Sequence, residues 1–366
     1  MEKQNTTSLP IIKIFDSYLQ KSRINCTDIF KSVEYIPLET REDCLINRNA
    51  EIYVDQRYII SIAFRQILVF DRENGKFIKE IGKFGQGPDE YAYTDKRSYD
   101  ERNGTVNVGG WDPNTFIHYD LNGKVQSITK SPFYLGPYHR LDSNSFVGFI
   151  TNINGNEKKR FVFFNEAGEV LYEIKNDKIF TREIPGRIAA ATNECQFFTY
   201  QEDVCFKEFY NDTLFSISQN GLSPRYLFET ENNTPPYEIK GAKDLYQKLP
   251  VYYQFQDFFE TEYYLFFTLL LDGEFHSGYF DKNKNKTYIG NDSQCFSFYD
   301  DINGFISFKL NNRNLANEVF GHIESYLIHE WITNNPKEYK ILQNKIKAFQ
   351  QIKPEDNPIV VIADLK

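Results

Sequence analysis

"NPIVVIADLK", Asn357 to Lys366, reads as a strand that lacks its partner. It has the form of "QILVFDREN" (Gln66 to Asn74), an apolar β-branched run that reaches a polar turn and then a second strand. Nothing follows Lys366 in this role. "VEYIPLET" (Val33 to Thr40) has the opposite problem, a strand pattern with no hairpin partner nearby. The two fit each other, with Val33 to Thr40 expected beside Val360 to Ile362. Joining them leaves no loose sheet edge, and open edges invite aggregation.

Working inward from that pair, a repeat appears. "ILVFDRENGKFIKEIG" (Ile67 to Gly82) is a strand, a polar turn with Gly75, and a strand. "FIHYDLNGKVQSIT" (Phe116 to Thr129) and "FVFFNEAGEVLYEI" (Phe161 to Ile174) repeat it; "EFYNDTLFSIS" (Glu208 to Ser218) and "SGYFDKNKNKTYIG" (Ser277 to Gly290) are looser copies. Turns of the Asn-Gly and Asp-x-x-Gly kind between apolar runs signal hairpins. Aligned on the residue opening each turn, the anchors are Asp71, Asp120, Asn165, Asn211 and Asp281, with a wider gap before the last. Further short strands precede each hairpin. "YYLFFTLLL" (Tyr263 to Leu271) is the most apolar of them and reads as a buried strand. Each unit is therefore four strands in about 45 residues, the size of one propeller blade.

Five blades are visible, and the two chain ends supply a sixth. The expected fold is all-β: a six-bladed β-propeller whose last blade is closed by N- and C-terminal strands. Residues 1–26 read as an N-terminal extension and 27–366 as a single propeller domain. Residues 229–250, with a Pro-Pro, read as an insertion in the fifth blade. Residues 311–352 read as a helical excursion before the closing strand. In it Asn335 can cap a helix, Pro336 suits its first turn and Glu338 its third position. Tyr339, Leu342, Ile346 and Phe349 then share one face.

"IGKFGQGPDEY" (Ile81 to Tyr91) falls between two blades. Its glycines suggest a bend with positive φ. A phosphate loop would instead lead into a helix, and here Tyr-Ala-Tyr-Thr-Asp leads into strands.

Composition excludes some functions. The 366 residues carry a net charge of −9 with no dense basic run, against nucleic-acid binding. Aromatics reach 16 %, with 33 Phe and 25 Tyr, which favours sheet. Five cysteines show no zinc spacing, and buried free thiols are the expectation, with a Cys195–Cys205 pairing across adjacent strands as the alternative. No apolar stretch is long enough for a transmembrane helix. "MEKQNTTSLP" lacks the layout of a secretory signal, so export would need a leader already removed.

Propellers bind ligands where their first strands converge on an axial channel. The polar residues of the expected first strands are Asp95, Arg97, His139, Arg140, Arg187, Gln256 and Asp257. Such a set suits an anionic or hydroxylated ligand, or it fills a wet channel by pairing with itself. No Gly-x-Ser-x-Gly elbow occurs, and Trp111 and the tyrosines read as packing or as sugar-stacking surfaces.

"YIPLET", "IGKFGQGPDEY" and the terminal "NPIVVIADLK", in that order and spacing, resemble a six-bladed β-propeller family of Bacteroidetes related in architecture to NHL and TolB-type propellers. The resemblance covers residues 27 to 366. It implies a periplasmic or cell-surface protein, often a lipoprotein, of largely unassigned function, and it brings no catalytic residues. The expectation is a non-catalytic scaffold for an unknown small molecule, glycan or protein, with no cofactor. The alternative is a metal-assisted hydrolase or lyase with Ca²⁺ at the axis, although the Arg-rich first strands would repel such an ion.

Overall fold

The computed structural model describes residues 9–47, 49–94, 98–133, 137–186, 194–292, 297–314, 316–345, 349 and 352–366. Its strands form six sheets, and the fold is a six-bladed β-propeller. Blade one is Glu51–Val54, Tyr58–Ala63, Gln66–Asp71 and Phe77–Glu80. Blade two is Tyr99–Asp100, Thr105–Gly109, Thr115–Asp120 and Val125–Lys130. Blade three is Tyr138–Arg140, Ser145–Phe149, Lys159–Asn165 and Val170–Lys175. Blade four is Cys195–Tyr200, Asp203–Glu208, Thr213–Ser218 and Gly221–Glu229; blade five is Gln254–Glu260, Tyr264–Leu271, Glu274–Asp281 and Lys286–Ile289.

Blade six carries the closure. Ser307–Arg313, Glu318–Ile323 and Ile359–Leu365 are followed in the sheet by Phe30–Pro37. The terminal pair is antiparallel, with Ile36 opposite Val360, Tyr35 opposite Val361 and Glu34 opposite Ile362. Phe298–Tyr299 and Ile24–Asn25 extend the other side of this sheet.

Contacts divide the chain into two compact units. One comprises Met1–Ser22, Leu135–Asn165 and Glu169–Gln294, and thus blades three to five; the other comprises Arg23–Tyr134, Glu166–Gly168 and Cys295–Lys366. The period of two along a strand builds the packing in each. In blade one Ile52, Val54, Ile59, Leu68 and Phe70 join a cluster with Phe320, Val360 and Ile362 of blade six. Their neighbours Tyr53, Ile60, Ile62, Ile67 and Val69 face the other way, onto Val106, Val108, Ile117 and Tyr119 of blade two. In the other unit, Phe149, Phe161 and Phe163 of blade three pack on Phe197 and Phe206 of blade four. Each such ring contributes about 1.5–3 kcal/mol by leaving water.

Four of the five turn anchors do the same work. Asp71 accepts from the amides of Glu73 and Asn74, Asp120 from Asn122 and Lys124, Asn165 from Glu169 and Asp281 from Lys284. Each side chain thereby closes the turn between the third and fourth strands of its blade. Asn211 is the exception. It closes the turn between the second and third strands of blade four, through the amide of Thr213 at 2.8 Å. The third-to-fourth turn there is Gln219-Asn220 before Gly221, an Asn-Gly signal that the earlier Asn masked. Part of the wide gap before Asp281 is this shift in register.

The rest of that gap is the segment between blades four and five. It holds short helices at Tyr237–Gly241, Leu245–Lys248 and Leu249–Val251. Near the C-terminus, Glu318–Ile323 is a strand, so the helices within 311–352 are Ser325–Asn334 and Pro336–Lys345. Leu342 and Phe349 are buried as expected, and Phe349 meets Phe305 at 4.7 Å and Tyr35 at 5.5 Å. Within the stretch read as an N-terminal extension, two short strands join sheets, Ile11–Lys13 and Ile24–Asn25. Ile11–Lys13 pairs in parallel with the last strand of blade four, and Ile12 and Ile14 are fully buried in the cluster shared by blades four and five.

The glycine loop is a bend, for a different reason from the one expected. Only Gly82 of its three glycines has positive φ, +67°. A Cβ on Gly85 would lie 2.0 Å from the Glu90 carboxylate, which accepts from the Gly87 amide and pairs with Lys83 at 2.6 Å. Gly85 and Gly87 therefore make room for Glu90. The cysteine pairing is also absent: Cys195 lies opposite Glu208, and Cys205 opposite Phe198. Cys26, Cys44 and Cys205 are buried free thiols.

Candidate functional site

Of the seven residues singled out from sequence, Asp95, Arg97 and Arg187 lie outside the described residues. His139 and Arg140 stand on the first strand of blade three, where their visible bonds are structural. His139 Nε2 meets Thr199 Oγ1 at 2.9 Å, and its ring stacks on Phe197. Arg140 donates to the Ser143 carbonyl at 3.1 Å and covers the Phe146 ring. Gln256 and Asp257 stand on the first strand of blade five. Asp257 has φ of +55°, and the pairing with Tyr264–Leu271 shifts register between Gln256 and Phe259. This bulge is held by Gln196 of blade four. Its buried amide donates to the Phe258 carbonyl at 2.8 Å and accepts from the Phe258 amide at 2.9 Å, as a neighbouring strand would.

Gln256 lines a cavity of about 390 Å³ in the unit of blades three to five. Gln254 and Phe255 line it from the same strand, and Leu270, Gly273 and Phe275 from the next hairpin. Asp272 and Gly273 have φ of +52° and +82°, the left-handed pair that a tight two-residue hairpin needs. The opposite wall is Tyr246, Leu249 and Pro250 from the segment between blades four and five, with Phe209 beneath.

That wall is anchored from within. Lys240 and Glu194 form an ion pair of 2.7 Å, with side chains 1 % and 5 % exposed. The Lys240 ammonium also lies 5.6 to 5.8 Å from the ring centroids of Phe180, Tyr237 and Tyr210, within cation–π range. Beside it Gly241 is packed so closely that a Cβ would lie 2.0 Å from the Thr181 carbonyl oxygen. Ile239, Leu245 and Leu249 complete the cluster with Phe209 and Tyr210. The segment is joined to blade five by Asp272 N–H to the Pro250 carbonyl and by Gln254 Nε2 to the Leu249 carbonyl, at 2.9 and 3.0 Å.

Among the described residues the lining has no Asp, Glu, Lys, Arg or His. Buried carboxylates elsewhere in this unit are paired, while Asp272 and Glu274, on either side of Gly273, are exposed. Glu208 pairs with Arg160 and Lys178, and Glu260 with Arg225 and Lys282. Lys207 donates to the carbonyls of Glu208 and Asn211, and burial pushes its ammonium down to about 8. Burial likewise pushes the Cys205 thiol up to about 12, the state of an inert thiol. The Gln256 amide, in contrast, makes no hydrogen bond among the described residues, and Gln254 uses only its nitrogen.

Two other histidines are held by the fold. His118 is held between Asn107 and Thr129 at 2.6 and 3.0 Å, and His276 faces the Gly290 carbonyl at 3.0 Å. Among the described residues no three or more His, Cys, Asp or Glu are placed to hold a metal ion. Among the described residues no helix is long and apolar enough to cross a membrane. The sequence carried two signals of the cavity: alternate glutamines on one strand, and the length of the segment before it.

Over residues 9–364 the sequence matches the family described as Domain of unknown function (DUF4934). The chain belongs to this family. In structure it is similar to a candidate exported protein from Bacteroides fragilis, with a TM-score of 0.73 at 16 % identity, covering 98 % of this chain and 100 % of that one. It is also similar to a DUF4221 family member from Bacteroides vulgatus, with a TM-score of 0.54 at 11 % identity, covering 92 % and 97 %. At these identities the likeness concerns the fold. None of the curated proteins matches the chain in sequence.

Proposed function

We propose that this DUF4934 propeller is a non-catalytic binding scaffold, exported from the cell, that takes a small ligand in the cavity beside blade five. One observation carries the reading. The buried Lys240–Glu194 pair behind the wall is satisfied internally, while the cavity itself presents amide groups with unspent hydrogen-bonding capacity. A volume of about 390 Å³ lies within the range of small-ligand pockets, roughly 300–1,000 Å³. The likeness to the Bacteroides fragilis protein, described as exported, supports the export part of this proposal, and anchoring through a lipid-modified leader belongs to the same reading.

The test is a thermal-shift screen of the purified chain against glycans, peptides, nucleotides, metabolites and Ca²⁺, with product analysis for every hit. A ligand at a hundred times its Kd should stabilise by about 2.7 kcal/mol. Stabilisation without turnover supports the reading. Turnover of a bound ester, lactone or glycoside overturns it in favour of the hydrolase.

A further inference from the structure

We infer that the ligand of this cavity is a neutral saccharide, bound by amide hydrogen bonds along one wall and by aromatic stacking along the others. The inference rests on the binding reading above and adds the chemical class. Three observations narrow that class. Among the described residues the lining is uncharged, so neither a phosphate nor an ammonium finds a counter-charge in it. Gln254 and Gln256 are two residues apart on one strand, and both reach the cavity. Between them they offer amide donors and both carbonyl acceptors to a ligand. A purely apolar ligand would dry the Gln256 amide without pairing it, which is costly. The remaining surface is aromatic: Phe209, Phe255, Tyr246 and Phe275, the last two 60 % and 38 % exposed.

Hydroxyls that both donate and accept, around a ring with an apolar C–H face, satisfy this lining. Asn and Gln amides match a hydroxyl pair in the same two-way fashion, and an exposed aromatic face covers the C–H face of a pyranose. The rigidity of the site agrees with such a ligand. Gln196 fixes the bulged strand through Phe258, and the Lys240–Glu194 pair fixes the opposite wall. Hydroxyl recognition depends on donors held in place before the ligand arrives.

The experiment is an array of neutral mono- and oligosaccharides followed by calorimetry with the hits, on the full chain and two variants. Gln256→Leu removes the free amide at similar volume. Phe275→Ala removes a ring from an exposed hairpin turn. The expected result is binding to a neutral glycan, weakened at least tenfold by either variant, with Leu171→Ala, an exposed position outside the lining, binding as the wild type. Thermal melts of each variant show that loss of binding is not loss of fold. Glycan binding unchanged in both variants overturns the site. A peptide or an ionic ligand that binds and is lost in Gln256→Leu, with the array silent, overturns the saccharide and leaves the binding reading standing. Silence of the array and of the broad screen together overturns both.

Discussion

Replacing Lys240 by methionine isolates the contact that holds the cavity wall. Methionine keeps the length of the stem, so most of the packing against Phe180, Tyr210 and Tyr237 survives, while the charge that compensates Glu194 is lost. Both partners are almost fully buried, at 1 % and 5 % exposure, so solvent screening offers little relief. Removing one member of such a pair costs about 3–5 kcal/mol, because the other is left charged in a poor solvent. The apolar cluster of Ile239, Leu245 and Leu249 remains, so the loss falls first on local opening of the segment. At 1.36 kcal/mol per decade, that raises opening by a factor of roughly 10² to 10⁴. Hydrogen exchange of the amides of Ala242, Tyr253 and Phe209 reads it directly. These donate to the carbonyls of Ile239, Asn233 and Glu194 at 3.0, 2.9 and 2.8 Å. Adding Glu194→Gln should recover most of the loss, since a neutral amide no longer needs the ammonium. Wild-type exchange in the single variant, or a double variant no better than the single, would refute the argument and leave apolar packing as what holds the wall.

Three further outcomes follow from other contacts. Gly75→Ala should destabilise more than Gly104→Ala in urea melts: both have positive φ, but only at Gly75 would the Cβ meet backbone, 2.0 Å from the Pro37 carbonyl oxygen. The difference should be about 1–3 kcal/mol. Lys207, fully buried and pushed down to about 8, should give a pH-dependent stability difference between the wild type and Lys207→Met. Its folded value is below its unfolded one, so the unfolded chain holds the extra proton between about pH 8 and 10.5. Wild-type stability should therefore rise relative to the variant across that window, by about 3 kcal/mol at most; a flat difference in denaturation from pH 7 to 10.5 refutes it. Gln196→Leu strips both bonds from the Phe258 peptide and should cost about 2–3 kcal/mol in chemical denaturation, loosening the Gln254–Gln256 strand.

The blade pattern was legible because its signals are local. Asp71, Asp120, Asn165 and Asp281 close their turns with amides no more than four residues on, and the strands alternate with a period of two. Closure by the terminal strands was legible by elimination, since each chain end carried an unpaired pattern. Asn211 misled because it forms a turn of the same chemistry one hairpin early. The strand Ile11–Lys13 was missed for another reason. It pairs in parallel with residues more than two hundred positions away, and three residues are too few to show a period.

The candidate site was less legible because it is made where the local rules are broken. Asp257 takes a left-handed conformation inside a strand, at a strain of about 1–3 kcal/mol. The strain is held by a glutamine sixty-one positions earlier, whose amide stands in for a missing strand bond. The segment between blades four and five has no strand period at all, and it is fixed by a charge pair buried among aromatic rings. Among the described residues, the connections between blades one and two and between blades two and three carry no helices. A propeller blade needs four strands and a few turn residues to fold. Two of the features that exceed that requirement, the bulge and the segment opposite it, meet at one cavity. A fold that departs from its local rules at one place commonly does so for function, and the proposed binding reading gives these two departures a common purpose.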